Sequence, residues 1–143
     1  LVKLYRRDLE KLKQEIEAYK SEGNLWLVEK DVINSAGNLT LHLIGNLNEF
    51  IGAEIGKSGY VRQRDLEFST KNTPRSELLK MIDDTTIHVE NAIESLNDEH
   101  FNQIYPLKVF GYEMTIEFFL IHLSTHLSYH LGQINYHCRL LDI

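Results

Sequence analysis

The stretch Ile121–Gln133, IHLSTHLSYHLGQ, decides how the rest of this chain is read. Leu123, Leu127 and Leu131 recur every four residues, and His122, His126 and His130 recur at the same interval one position earlier. Extended both ways, the apolar positions are Ile116, Leu120, Leu123, Leu127, Leu131, Ile134, Cys138 and Leu141, each three or four from the next. That period is helical and predicts one helix from about Thr115 to Leu141. At 1.5 Å per residue it is roughly 40 Å long.

Outward from this helix, three more segments carry the same period. From Val2 to Tyr19, the residues Val2, Tyr5, Leu9, Leu12, Ile16 and Tyr19 form one seam among Lys, Arg and Glu, and Gly23-Asn24 is a stop signal. A second helix starts from an N-cap at Ser35 or Asn38 and continues to about Ile55. Leu39, Leu43, Leu47 and Phe50 mark its main face, and Leu41, Ile44 and Ile51 widen it, so most of its sides are expected to be buried. Gly45 and Gly52 cost helix propensity but would let a neighbouring helix approach closely. Periodicity lapses from Lys57 to Thr73, where Gly56, Ser58 and Gly59 predict a loop. Thr73-Pro74 opens a third helix carrying Leu78, Ile82, Val89, Ile93 and Leu96 to about Asn97. Between Asn102 and Glu113, Tyr105-Pro106 and Gly111 predict a short extended excursion or hairpin. Four helices with one long crossover loop predict an all-α four-helix bundle. The 143 residues fit a single domain over 1–143.

Composition narrows the class of function. Fifteen Lys and Arg stand against 21 Asp and Glu, a formal charge of −6 that repels phosphate backbones and argues against a nucleic-acid partner. No apolar run reaches the roughly 18 residues of a membrane span, so no membrane partner is expected. No stretch of the sequence reads as a secretory signal, and the single cysteine, Cys138, has no intramolecular partner; a reducing, cytoplasmic setting is expected. Cys138 lies on the core stripe and is read as a packing residue.

Seven histidines in the chain make one H-x-x-x-H pair unremarkable. Three in series arise by chance in only roughly one to two per cent of chains of this composition, so the triplet needs an explanation. Imidazoles four apart on a helix lie about 5–6 Å apart at Cβ and can converge on one ion with bonds of about 2.0–2.1 Å. Three in a row cannot all converge comfortably, because the direction drifts by about 40° per step. Two of the three with a third ligand from another helix is the expected arrangement. His42, in the apolar run NLTLHLIGNL of the second helix, is the natural candidate, since a buried imidazole there needs a partner. Other metal and catalytic patterns are absent: no Glu is followed by His at the spacing of a di-iron carboxylate bundle, and there is no H-E-x-x-H, phosphate loop or nucleophile elbow. His88 and His100 are read as surface histidines and His137 as structural.

His42 in the second helix and H-x-x-x-H-x-G-Q in the fourth (His126, His130, Gly132, Gln133) resemble the DinB-like/YfiT-like metalloenzyme superfamily. LHLIGNL around His42 and RQRDLEF from Arg62 to Phe68 sharpen the likeness toward a subgroup of small bacterial DinB-like proteins, and it covers essentially the whole chain. The resemblance implies a four-helix bundle holding one divalent ion, nickel or zinc, on His42, His126 and His130. It also implies a homodimer, as does apolar surface beyond what one small bundle can cover. Relatives of known activity use low-molecular-weight thiols in S-transfer or isomerisation, so a small thiol is the implied cosubstrate.

Three neutral nitrogen ligands leave the ion its charge and an open position, where a thiol is held as thiolate and water has a pKa near 7. The leading expectation is a metal-dependent thiol S-transferase; a metal-hydroxide hydrolase and a non-catalytic, metal-stabilised dimeric binding module are the alternatives. Glu49, seven residues after His42, and Asn46, four after it, are the candidate catalytic residues, each weighed against a plain solvated charge or a helix-to-helix hydrogen bond. Gln133 and His122 are candidates for fixing imidazole tautomers. Arg62 and Arg64 could meet an anionic substrate, although ion pairing with Asp65, Glu67 or other loops is the better expectation. Trp26 and Tyr60 could line a pocket, with core packing as the plainer role.

Overall fold

A computed structural model describes residues 1–143. It is all-helical, with six α-helices and no strands: α1 (Val2–Glu17), α2 (Ala36–Leu47), α3 (Arg64–Ser69), α4 (Arg75–Glu94), α5 (Asp98–Phe101) and α6 (Ile116–Leu141). None is both long and apolar enough to cross a membrane.

The long helices form where the apolar period places them. On α1 the seam Tyr5, Leu9, Leu12 and Ile16 is buried while the basic and acidic residues between face outward. Each such side chain contributes about 1.5–3 kcal/mol on burial. Helix α1 packs against α4 and α6, and α2 packs against the same two from the other side. Every residue of α2 is buried, as its apolar width predicts. One apolar cluster, including Leu43, Leu47, Leu78, Phe119, Leu120 and Leu127, fills the space between them.

Local chemistry sets the boundaries. Ser35 caps α2 by accepting from the Asn38 backbone N–H, and Thr115 caps α6 by accepting from that of Phe118. The second helical segment ends differently from its sequence expectation. The α-helix stops at Leu47 and the chain continues as a wider π-helical turn over Asn48–Ala53. There the Asn48 side chain bonds Thr85 on α4 and the Ile44 carbonyl, which the sequence period does not register.

Two expected irregular regions also differ. The stretch Lys57–Thr73 is not all loop: Arg64–Ser69 forms α3. Asn38 on α2 fixes it by donating to the carbonyls of Glu67 and Thr70 at 2.9 and 2.8 Å. The excursion before α6 holds no hairpin. Its pairing is limited to one antiparallel bridge between Ile104 and Thr115, supported by backbone bonds from Tyr105 to Met114 and from Ile116 to Gln103. Gly111, with φ of +83°, turns the loop that carries Val109 and Phe110 back toward α6.

Candidate metal centre

His42 projects from the middle of α2, and His126 and His130 from one face of α6. Their Nε2 atoms meet: His126 to His42 at 3.3 Å and His126 to His130 at 3.1 Å. All three ligand atoms lie within 4.8 Å of one another, a group able to hold a metal ion. Two nitrogens bound tetrahedrally at 2.0–2.1 Å lie about 3.3–3.4 Å apart, so the spacing needs little adjustment to accept one.

Tautomers follow from the outer partners. The Nδ1 of His130 lies 2.7 Å from Gln133 Oε1, and the Nδ1 of His42 lies 3.1 Å from Glu67 Oε1. Both oxygens accept, so both Nδ1 atoms carry the proton and both Nε2 lone pairs face the centre. One N–H on His126 Nε2 could satisfy only one of them, and its Nδ1 is buried with no partner. Converging lone pairs of this kind suit a cation between them.

The electrostatics favour neutral imidazoles. Burial, then the neighbouring His130, His42, His122 and Arg62, push the pKa of His126 down to about 4. Burial also lowers that of His42, against the opposing hydrogen bond and charge of Glu67. Glu67 is held in turn by Arg62, whose Nε and Nη2 donate to its two oxygens at 2.7 and 2.9 Å, while Nη1 reaches Glu49 at 3.1 Å. Burial alone would lower the Arg62 pKa, but these partners outweigh it and raise it. Gly45 makes the arrangement possible. A Cβ there would lie 2.7 Å from Glu67 Cδ, so the close approach that Gly45 allows is by a carboxylate rather than a helix. At Gly52 a Cβ would meet only ordinary contacts, the nearest 3.5 Å away.

The other residues singled out in the sequence divide clearly. Gln133 sits at the cluster as the His130 partner. His122 does not; its ring packs edge-on against Phe110 at 4.7 Å and lies beside Phe119. Arg62 is an internal ion-pairing residue, whereas Arg64 is exposed. Glu49 is tied to Arg62. Asn46 is buried, with its Oδ1 lacking any hydrogen-bond partner. Trp26 joins the core, Tyr60 is exposed, and Cys138 is half-buried against the apolar cluster. Glu67 is a histidine partner that no local pattern marks, since it stands 25 positions from His42 in the chain.

Beside the cluster lies a chamber of about 190 Å³ lined by His42, His126, Asn46, Arg62, Phe110 and His122, among others. A larger cleft of about 560 Å³ runs along the outer side of α6 past Ile33, Tyr129 and Tyr136; it has none of the three histidines in its wall and meets the cluster from behind, through Gln133 and the Tyr129 ring, which packs edge-on against His130 at 5.5 Å. The small chamber, with two of the three histidines in its wall, is the one that belongs to the centre.

Fold and site together define a helical protein with a three-histidine cluster fit for a metal ion, walled by a small, mostly apolar chamber. The chain belongs to the family described as "Protein of unknown function (DUF1572)", whose model matches residues 2–142. No curated protein matches it.

Proposed function

We propose that this chain is a metal-dependent enzyme of the DinB/YfiT-like kind, a single four-helix-bundle domain over residues 1–143. In this reading His42, His126 and His130 hold one divalent ion, nickel or zinc, and a small thiol is the cosubstrate of an S-transfer reaction. The observation that carries it is the convergence of three Nε2 atoms, two of them oriented from behind by Glu67 and Gln133.

An ion held by His42, His126 and His130 would supply a double positive charge, able to favour the thiolate form of a thiol and to lower the pKa of water to about 7. The chain's own residues do the rest. Arg62 fixes the Glu67 carboxylate, and Glu67 fixes the His42 ring. Phe110 and Phe119 keep bulk water from the chamber side, Asn46 contacts the bound molecule, and Glu49, half-exposed beside Arg62, is the carboxylate free to move a proton, since Glu67 is buried in its pairing with Arg62 and His42. Arg64 stands at the chamber rim, where it can meet an anionic part of a substrate.

The same reading places the enzyme in the cytoplasm as a homodimer. Phe118, Ile121, Tyr129, Tyr136 and Leu140 leave an exposed apolar face along α6, which supports self-association. Sedimentation at micromolar concentration should give a dimer; monomer alone removes that part of the reading.

The main test is metal content of protein purified without an affinity tag or chelating column. The wild type should hold one divalent ion per chain, His126→Ala should lose it and His122→Ala should keep it. Equal loss in both variants overturns the ligand set. Cobalt-substituted protein titrated with a small thiol should then develop a sulfur-to-metal charge-transfer band that His130→Ala lacks. An unchanged spectrum with exchangeable water favours the hydrolase, and a centre closed to all added ligands leaves only a structural role.

A further inference from the structure

The chamber wall contains one polar group whose own hydrogen-bond partner the proposed metal chemistry does not supply. Asn46 lies one helical turn after His42 on α2 and is 7% exposed. Its Oδ1 is buried without a partner. The hydrogen bonds that tie His42, Arg62, Glu67 and Glu49 together beside it do not include its amide. A buried amide oxygen with no partner costs about 1–3 kcal/mol, a cost that a molecule hydrogen-bonding the Asn46 amide would relieve. Asn46 is one of the residues lining the chamber, which has room for such a molecule.

What surrounds the amide fixes the character of that molecule. Phe50, Phe110, Phe119 and Leu123 make most of the chamber apolar and aromatic. Phe50 and Phe119 meet edge-on at 5.3 Å, and Phe110 meets His122 in the same way at 4.7 Å. The one buried charge in the wall, Arg62, is already matched by Glu67 and Glu49. Among the buried side chains around Asn46 a charged group would find no unmatched counter-ion and would lose its hydration, whereas a neutral group would not; an anionic part of a substrate belongs instead to the metal corner and to Arg64 at the rim. An Asn side chain offers a donor and an acceptor side by side, and a 180° turn exchanges them. Its best complement is another group with the same adjacent pair.

We propose that this chamber is a binding subsite for a neutral molecule presenting a carboxamide, lactam or urea edge to Asn46 on an aromatic or compact apolar body. This rests on the proposed reading of the three-histidine corner as a working site, and it names the second substrate class of that site beside the thiol. The subsite itself needs no metal ion, because its recognition elements are Asn46 and the aromatic wall.

Benzamide and toluene are suitable probes, since they share the ring and differ in the amide edge. Binding to full-length protein, zinc-loaded and zinc-free, is measured by titration calorimetry and ligand-observed NMR. Wild type should bind benzamide roughly tenfold or more tighter than toluene, the gain expected from about two net hydrogen bonds. Asn46→Leu should close that gap while keeping toluene affinity, and Asn46→Asp should narrow it. If Asn46→Leu fails to fold, the Asn46 side-chain NH2 resonances of the wild type carry the test, and they should shift with benzamide. Equal affinity for the two probes, a gap that survives in Asn46→Leu, or unmoved Asn46 resonances overturn the proposal, and mark the chamber as holding water only. Failure of the metal reading looks different: zinc does not bind, yet the benzamide preference persists.

Discussion

His126 and His137 stand about three turns apart on α6, the first half-buried and the second buried, and they are used in opposite ways. At the C-terminal end the Tyr19 hydroxyl donates to His137 Nδ1 at 2.7 Å, and His137 Nε2 donates to the Leu27 carbonyl at 2.8 Å. Both ring nitrogens are satisfied and the ring is closed off at 3% exposure. At the other end, His126 has a buried Nδ1 with no partner and an Nε2 facing two other nitrogens. Burial alone does not assign these roles, since His42, also a cluster member, is as buried as a structural histidine at 7%. The count of acceptors and donors does: a structural imidazole uses up its partners, while a ligand site leaves lone pairs facing a common point.

The strongest way to break the contrast is to remove the carboxylate behind the cluster. Arg62 and Glu67 are each 6% exposed at the side chain and hold one another through two hydrogen bonds. Glu67→Ala leaves a buried guanidinium with only Glu49 in reach. We expect a loss of about 3 kcal/mol or more in urea denaturation of the metal-free protein. A loss below about 1 kcal/mol would show that Arg62 swings out to solvent and that the pair does not hold this corner.

The two histidines themselves then give a crossed comparison. His137→Ala removes two buried hydrogen bonds and opens a cavity, and should cost about 2–4 kcal/mol of stability with metal content unchanged. His126→Ala, which has no Nδ1 bond to lose, should abolish metal binding while leaving the metal-free protein far less affected. If stability and metal content fell together in both variants, the division between structural and ligand histidine would be wrong. Gln133→Ala is the milder probe of the same corner. Gln133 is exposed, so stability should hold, but the His130 tautomer is released and divalent-ion affinity should fall about tenfold to a hundredfold. Competition with a chromogenic chelator measures it.

The sequence exposed the frame of this contrast and hid its fittings. The seams of α1, α4 and α6 and the wide apolar face of α2 follow from a period of 3.6, and so does the pairing of His126 with His130. Gln133 was within reach because it lies three residues beyond His130 on the same helix. Glu67 was not, because it stands 25 positions from His42 and meets it only after Asn38 pins α3 to α2. The π-helical turn at Asn48–Ala53 was hidden for the same reason, as its Asn48 anchor is on α4. So was the chamber wall at Val109 and Phe110, which comes from a loop that lacks any period. Local pattern finds the elements; tertiary hydrogen bonds place the polar groups between them.

The smallest effect tests the closed end of α6 through pH. Asp142, just past the last turn, accepts from the backbone N–H groups of Lys20 and Ser21 at 2.7 and 3.2 Å and from the Asn24 side chain at 3.0 Å. The Lys20 backbone bond first, then the Asn24 side chain and the Ser21 backbone, favour the charged carboxylate and hold its pKa below the ordinary 3.8. A carboxylate whose pKa is depressed by folding adds stability above its unfolded value, and that stability drains away as pH falls through 3.8 toward the folded value. Asp142→Asn should therefore lower the urea midpoint at pH 7, and the difference from wild type should shrink steadily below about pH 4. The variant should bind the same divalent ion as the wild type at every pH, because nothing at this end reaches the cluster. A midpoint difference that stays constant down to pH 3 would mean that the three donors hold Asp142 by shape rather than by charge. The closed end would then owe its order to the Tyr19–His137 contact alone.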